Sequence, residues 1–302
     1  MLCIKLTSAC SSLPKHPDIK KMHRVLFLGN SITYAGDYIT DIEAYFVIHY
    51  PKQRIEFINV GLPSETVSGL SEPGHAGGQF PRPDLHERLA RVLAQIKPDL
   101  IFACYGMNDG IYMPFDTGRF QKYKEGINWL HQQLINTGAF VVHVTPPIFD
   151  EKNGGSPGYS AVLDKYSDWL LKCRGSLNWN MVDVHSPMKQ YFDEHRAADP
   201  NFRFAKDGIH PDSIGHWVMA KQFLVFLDPK KVKKIETVKD IYSAKANGQQ
   251  IFNLVAERQT IMKDAWLTST GHKRPGMNKG LPMDEALAKY KELGDQIDQL
   301  NQ

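Results

Sequence analysis

Long apolar runs are missing from this sequence. No stretch approaches the ~20 consecutive apolar residues that a spanning helix needs, which argues against a membrane span. Cysteine is scarce, with four in 302 residues. Cys3, Cys10, Cys104 and Cys173 fit no zinc or redox spacing, and a chain of this size needs no disulfide staples. Cys104 lies in an apolar run and reads as a small buried hydrophobe. A strong charge imbalance is also absent: 36 Lys and Arg face 33 Asp and Glu, for a net charge of +3. The basic residues are scattered, which excludes the basic stripe of a nucleic-acid binder. The twelve histidines include no His-x-x-x-His or comparable pair, so neither a metal nor another cofactor is expected. His75, His86 and His272 read as surface or loop packing.

What is present is an alternation of two patterns. Short, nearly continuous apolar runs at 24–28, 54–60, 99–105, 139–145 and 180–184 predict strands buried on both faces. Between them, residues 38–50, 84–96, 119–136 and 161–173 carry apolar side chains at helical spacing. A further helix is predicted over 211–227, with Pro211 at its first position. This α/β alternation implies a five-stranded parallel sheet in a three-layer α/β/α sandwich, whose ligands bind beyond the carboxyl ends of the strands. Asp228-Pro229-Lys230-Lys231 ends the pattern. The chain therefore divides into an N-terminal segment (1–23), an α/β domain (24–228) and a helical C-terminal extension (229–302) with helices at 248–265 and 282–300. Packing against the core is the favoured role for that extension; a partner or oligomer surface is the alternative. Leu6-Thr7-Ser8-Ala9-Cys10 resembles the cleavage site before a lipidated cysteine. If a longer signal precedes it, a periplasmic or secreted location follows; otherwise a cytoplasmic one does.

The chemistry sits at strand ends. The first strand runs into Gly29-Asn30-Ser31, which places a serine hydroxyl at the mouth of the sheet's crevice; an ordinary turn and helix cap would look the same. The second strand ends at Gly61, where an unencumbered backbone N–H can face a developing oxyanion. The third ends Gly106-Met107-Asn108-Asp109. Asn108 can offer its side-chain amide, and Asp109 can pin the loop through backbone N–H groups. Far downstream, Asp207-Gly208-Ile209-His210-Pro211 puts a carboxylate three residues before a histidine. Asp207 can fix the ring's tautomer, leaving the other nitrogen to take a proton from a serine.

These four blocks, in this order, resemble those of the SGNH/GDSL hydrolase family over residues 24–227. The resemblance implies a flavodoxin-like SGNH hydrolase fold and a serine esterase with Ser31 as nucleophile, His210 as base and Asp207 as the acid. It also implies an oxyanion hole made by the N–H groups of Ser31 and Gly61 and the amide of Asn108. The first block departs from the family's commonest form, which has aspartate where this chain has Asn30.

The ester itself is less legible. Three loops rich in Gly and Pro, at 62–83, 107–118 and 146–159, lie on the catalytic side, and such loops usually set specificity. Tyr112, Phe115, Phe149 and Tyr159 could stack on sugars or anchor the loops, and His75, Arg82 and Arg119 could meet an anionic or hydroxylated substrate or simply be solvated. By resemblance the chain looks most like carbohydrate esterases that remove acetyl groups, so a small-molecule or oligosaccharide ester is the expected partner. A lysophospholipase or thioesterase of short acyl preference, and a non-catalytic carbohydrate-binding protein, are the alternatives.

Overall fold

A computed structural model describes residues 16–302. Strands β1 (Arg24–Gly29), β2 (Glu56–Asn59), β3 (Leu100–Cys104), β4 (Phe140–Val144) and β5 (Asn180–Val182) form one parallel sheet of order β2-β1-β3-β4-β5. All five residues of β3 are buried, as befits a central strand covered on both faces. The chain moves from β1 to the β2 edge and then crosses to β3, so the strand order reverses between β1 and β3. Open α/β sheets hold their ligands at that reversal.

Helices α1 (Ser31–Ala35), α2 (Asp37–His49), α3 (Leu89–Ile96), α4 (Thr117–Ile135), α5 (Glu151–Gly154), α6 (Tyr159–Ser176), α7 (His185–Ala198) and α8 (Ser213–Leu227) flank the sheet. Phe27 of β1 stacks on Phe102 of β3 at 5.3 Å between ring centres, and Tyr38 of α2 stacks on Phe223 of α8 at 5.1 Å. Tyr123 of α4 and Tyr166 of α6 stack at 4.2 Å. Cys104 and Cys173 are buried free thiols. The N-terminal residues Cys3, Cys10 and Leu6–Cys10 lie outside the described residues. Among the described residues no helix is long and apolar enough to cross a membrane.

Two expected helices differ, and a further helix was not expected. The helix expected over 84–96 is two pieces: a 3-10 turn at Leu85–Glu87, capped by Asp84, and then α3. Arg88 separates them with φ −121° and ψ −18°. The helix expected from Pro211 starts two residues later, because the Asp212 side chain accepts from Ile214 and Gly215 N–H and caps it there. Helix α7 was not anticipated; it buries only His185 and Met188, too few to set a period.

The C-terminal region forms α9 (Pro229–Val232), α10 (Val238–Tyr242), α11 (Gly248–Thr270) and α12 (Met283–Leu300). Helix α11 covers the β2 edge of the sheet. The Gln259 side chain donates to the Phe57 carbonyl at 2.7 Å, and Trp266 Nε1 donates to Glu56 at 3.3 Å. Arg258 pairs with the fully buried Glu43 of α2. An edge strand with free carbonyls invites intermolecular pairing, and a covering helix removes that liability.

Candidate active site

Asn30 accepts from Ile32 N–H at 3.2 Å, which caps α1 and makes Ser31 its first residue. Ser31 therefore projects from the carboxyl end of β1, beside the strand-order reversal. His210 arrives from the loop before α8. Gly208 holds that loop in place: its φ is +75°, and an added Cβ would lie 2.4 Å from Gly154 N and 2.5 Å from Asp150 O. Only glycine suits both the dihedral and the space.

The three side chains make a continuous hydrogen-bonded line. His210 Nε2 is 2.8 Å from Ser31 Oγ, and His210 Nδ1 is 2.6 Å from Asp207 Oδ2. A carboxylate only accepts, so Nδ1 carries the ring proton and Nε2 is left to accept from the serine. The other oxygen, Asp207 Oδ1, accepts the N–H groups of Ile209 at 3.0 Å and His210 at 2.9 Å. Partial burial opposes ionisation of Asp207, but these bonds, led by that to the ring, outweigh it and hold the carboxyl below its ordinary value.

The expected oxyanion donors are not all free. Asn108 lies in the loop after β3 and is 2% exposed. Its amide is fixed from both ends: Oδ1 accepts from the Tyr112 hydroxyl at 3.1 Å and Nδ2 donates to Glu65 O at 3.1 Å. One Nδ2 hydrogen remains. Gly61 requires correction, because its N–H donates to Asn59 Oδ1 at 2.9 Å and is not free. Gly61 is needed for another reason: a Cβ there would lie 2.3 Å from Tyr34 N, so glycine lets the loop lie against α1.

Three residues further on lies a donor the sequence did not disclose. Glu65 N–H bonds to Leu62 O at 3.1 Å, closing a four-residue turn. Its second residue is Pro63 and its third, Ser64, has φ +68°. Proline fixes φ near −65°, so a positive φ at the next position marks a type II turn. Among the described residues the N–H groups of Ser64 and Ser31 have no partner.

Asp109, fully buried, ties the Asn108 loop to the loop after β2. Its Oδ1 accepts from Val67 N at 2.9 Å and Ser68 N at 2.8 Å, while Oδ2 has no partner among the described residues. Burial raises its pKa to about 6, against the lowering effect of those bonds. A carboxyl whose folded pKa is raised stabilises the fold below its unfolded pKa and loses that contribution as pH rises through the folded value. Between pH 3.8 and about 6 the loss amounts to about 3 kcal/mol. Asp109→Asn should remove this slope, so urea titrations at pH 4 and 7 should show the variant gaining about that much relative to wild type. Parallel pH profiles would exclude the assignment.

The loop aromatics are mostly anchors. Tyr112, Phe149 and Tyr159 pack on one another at 4.8–5.9 Å, with Phe149 and Tyr159 buried. Phe115 is 38% exposed and packs on Phe120. Arg82 is committed to Glu72 through two bonds of 2.6 and 2.7 Å, with His75 beside the same carboxylate. Arg119 caps its own loop at Pro114 O. His86 pairs with Asp84 at 2.6 Å.

Comparison with known proteins places this geometry in context. The model of the GDSL-like lipase/acylhydrolase family matches residues 27–218. The chain is 22% identical to an acetylxylan esterase of Geobacillus stearothermophilus over 221 residues, which cover 67% of this chain and 92% of that one. A gut microbial diltiazem-metabolizing enzyme superposes with TM-score 0.58 and 26% identity, covering 71% of this chain and 48% of that chain. The present chain thus spans about half the length of that enzyme. An alpha/beta hydrolase from the metagenome of Lake Arreo, Spain, gives TM-score 0.53 and 24% identity, with 68% and 94% covered.

Proposed function

The chain belongs to the GDSL-like lipase/acylhydrolase family and is a hydrolase of ester bonds, and on that premise we propose that it deacetylates a carbohydrate by a serine mechanism. Ser31 is the nucleophile, His210 the general base and Asp207 the group that orients it. The unbroken line from Ser31 Oγ through the His210 ring to Asp207 carries this reading. As Ser31 Oγ bonds to the acyl carbon, its proton passes to His210 Nε2, which returns it to the alkoxide when the C–O bond breaks. Water then repeats the sequence on the acyl-enzyme and releases the acid.

The carbonyl oxygen becomes an oxyanion twice in that cycle. The free N–H groups of Ser31 and Ser64 and the remaining hydrogen of Asn108 Nδ2 are the donors assigned to it. Each is held before substrate arrives, as stabilisation of developing charge requires. The substrate class draws support from the acetylxylan esterase relative and from the openness of the site. The His210 and Asp207 side chains are 44% and 53% exposed, which suits a bulky hydrophilic leaving group.

A fluorophosphonate probe tests the nucleophile: wild type should label and Ser31→Ala should not. Acetylated xylo-oligosaccharides, acyl glycerols and acyl thioesters, scored by released acid, test the substrate. Acetate release from the oligosaccharides should dominate. Faster release from lipid or thioester would overturn the carbohydrate assignment.

A further inference from the structure

We propose that Arg274, carried by the C-terminal region beyond the family-matched residues, is a positioning residue that locks the Pro63–Ser64 peptide with its N–H toward the nucleophile. The proposal rests on the assignment of Ser64 N–H to the oxyanion. Arg274 Nε donates to the Pro63 carbonyl at 2.9 Å. That carbonyl and the Ser64 N–H belong to one planar trans peptide and point in opposite directions. Fixing the oxygen on the Arg274 side therefore fixes the N–H on the other.

The lock answers a strain. A type II turn asks for glycine at its third position, and this chain supplies Ser64 with φ +68°. An L-residue prefers the type I turn, reached by rotating the central peptide through about 180°. That rotation would turn the N–H away and bring the Pro63 carbonyl oxygen toward the oxyanion. A hydrogen bond from a cation to the carbonyl opposes the flip and polarises the same peptide.

The guanidinium is itself fixed. Nη1 donates to Pro275 O at 2.9 Å and contacts Met277 Sδ at 3.2 Å, and the group lies over the Phe80 ring, 5.3 Å from its centre. Its segment is tied to the body by Arg91 Nε on Thr270 O at 2.9 Å, and is folded back on α11 by Gly280 N–H on Thr268 Oγ1 at 2.8 Å. The extension thus reaches the Pro63–Ser64 turn through Arg274.

The test is a double-mutant cycle on 4-nitrophenyl acetate, with Ser31→Ala alongside. Arg274→Ala should lower kcat about 5- to 30-fold, the bias of an L-residue against the left-handed region, with KM within about twofold. Arg274→Lys should restore part of it. In a Ser64→Gly background, where glycine adopts positive φ freely, Arg274→Ala should cost less than about twofold. A general structural role for Arg274 would lower kcat equally in both backgrounds and would overturn the proposal. So would unchanged kcat in Arg274→Ala while Ser31→Ala is inactive. Activity persisting in Ser31→Ala would instead remove the serine mechanism on which the proposal stands.

Discussion

His210→Ala is expected to lower turnover by about 10⁴-fold or more, the range seen when a serine-triad member is removed. On the proposed mechanism, removing the ring takes away the one side chain among the described residues that hydrogen-bonds Ser31 Oγ. With it go both the acceptor of the serine proton and the donor to the leaving alkoxide. Asp207→Asn should approach the same loss for a reason specific to this loop. Asp207 Oδ1 is already engaged by the N–H groups of Ile209 and His210. An asparagine oxygen would occupy that position, which forces its NH₂ to face His210 Nδ1. Two donors cannot share that contact, so the ring would carry its proton on Nε2, facing Ser31, and could not act as base. Initial rates on 4-nitrophenyl acetate, with fluorophosphonate labelling as a second readout, check both variants. A rate in Asp207→Asn above about a tenth of wild type would remove Asp207 from the orienting role, since a tautomer reversal should cost about 10⁴.

How far the sequence disclosed this site depends on what each residue's role requires. The strands were legible because burial on both faces leaves continuous apolar runs, as in 24–28 and 99–105. Ser31 and Asn108 were legible because they follow strand ends directly, and Asp207 and His210 because their spacing lets both share one turn. Gly61 misled. A glycine after a strand suggests a bare N–H, but Asn59, two residues earlier, reaches forward and takes it. Ser64 was illegible by residue type, since serine rarely holds a positive φ; Pro63 was the one local sign of the turn. Arg274 lies 211 positions from its acceptor, and only the fold of the extension brings the two together. Tyr112 was noted as a loop aromatic, yet its hydroxyl serves Asn108.

The Glu65–Arg88 pair was equally hidden, and it carries the second large expectation. Glu65 and Arg88 are 0% and 1% exposed. Arg88 Nε and Nη2 donate to the two carboxylate oxygens at 2.6 and 2.7 Å, Nη2 also reaches Val60 O at 2.8 Å, and Tyr105 OH donates to Glu65 at 2.7 Å. Burial opposes the charge on Arg88, but the facing carboxylate outweighs it and raises its pKa further, so the guanidinium stays charged. Arg88→Ala strips the partner from a carboxylate that water does not reach. Breaking a buried pair in this way destabilises by about 3–5 kcal/mol. The urea midpoint should fall accordingly. Removing both charges, in Glu65→Gln/Arg88→Met, should recover much of the loss, because no uncompensated charge remains. Activity should suffer beyond stability, since Glu65 closes the turn that presents Ser64 and its carbonyl receives Asn108. A shift below about 1 kcal/mol in Arg88→Ala, the scale of an exposed ion pair, would show that the surrounding structure readily admits water to Glu65. The pair would then not be what holds this turn in place.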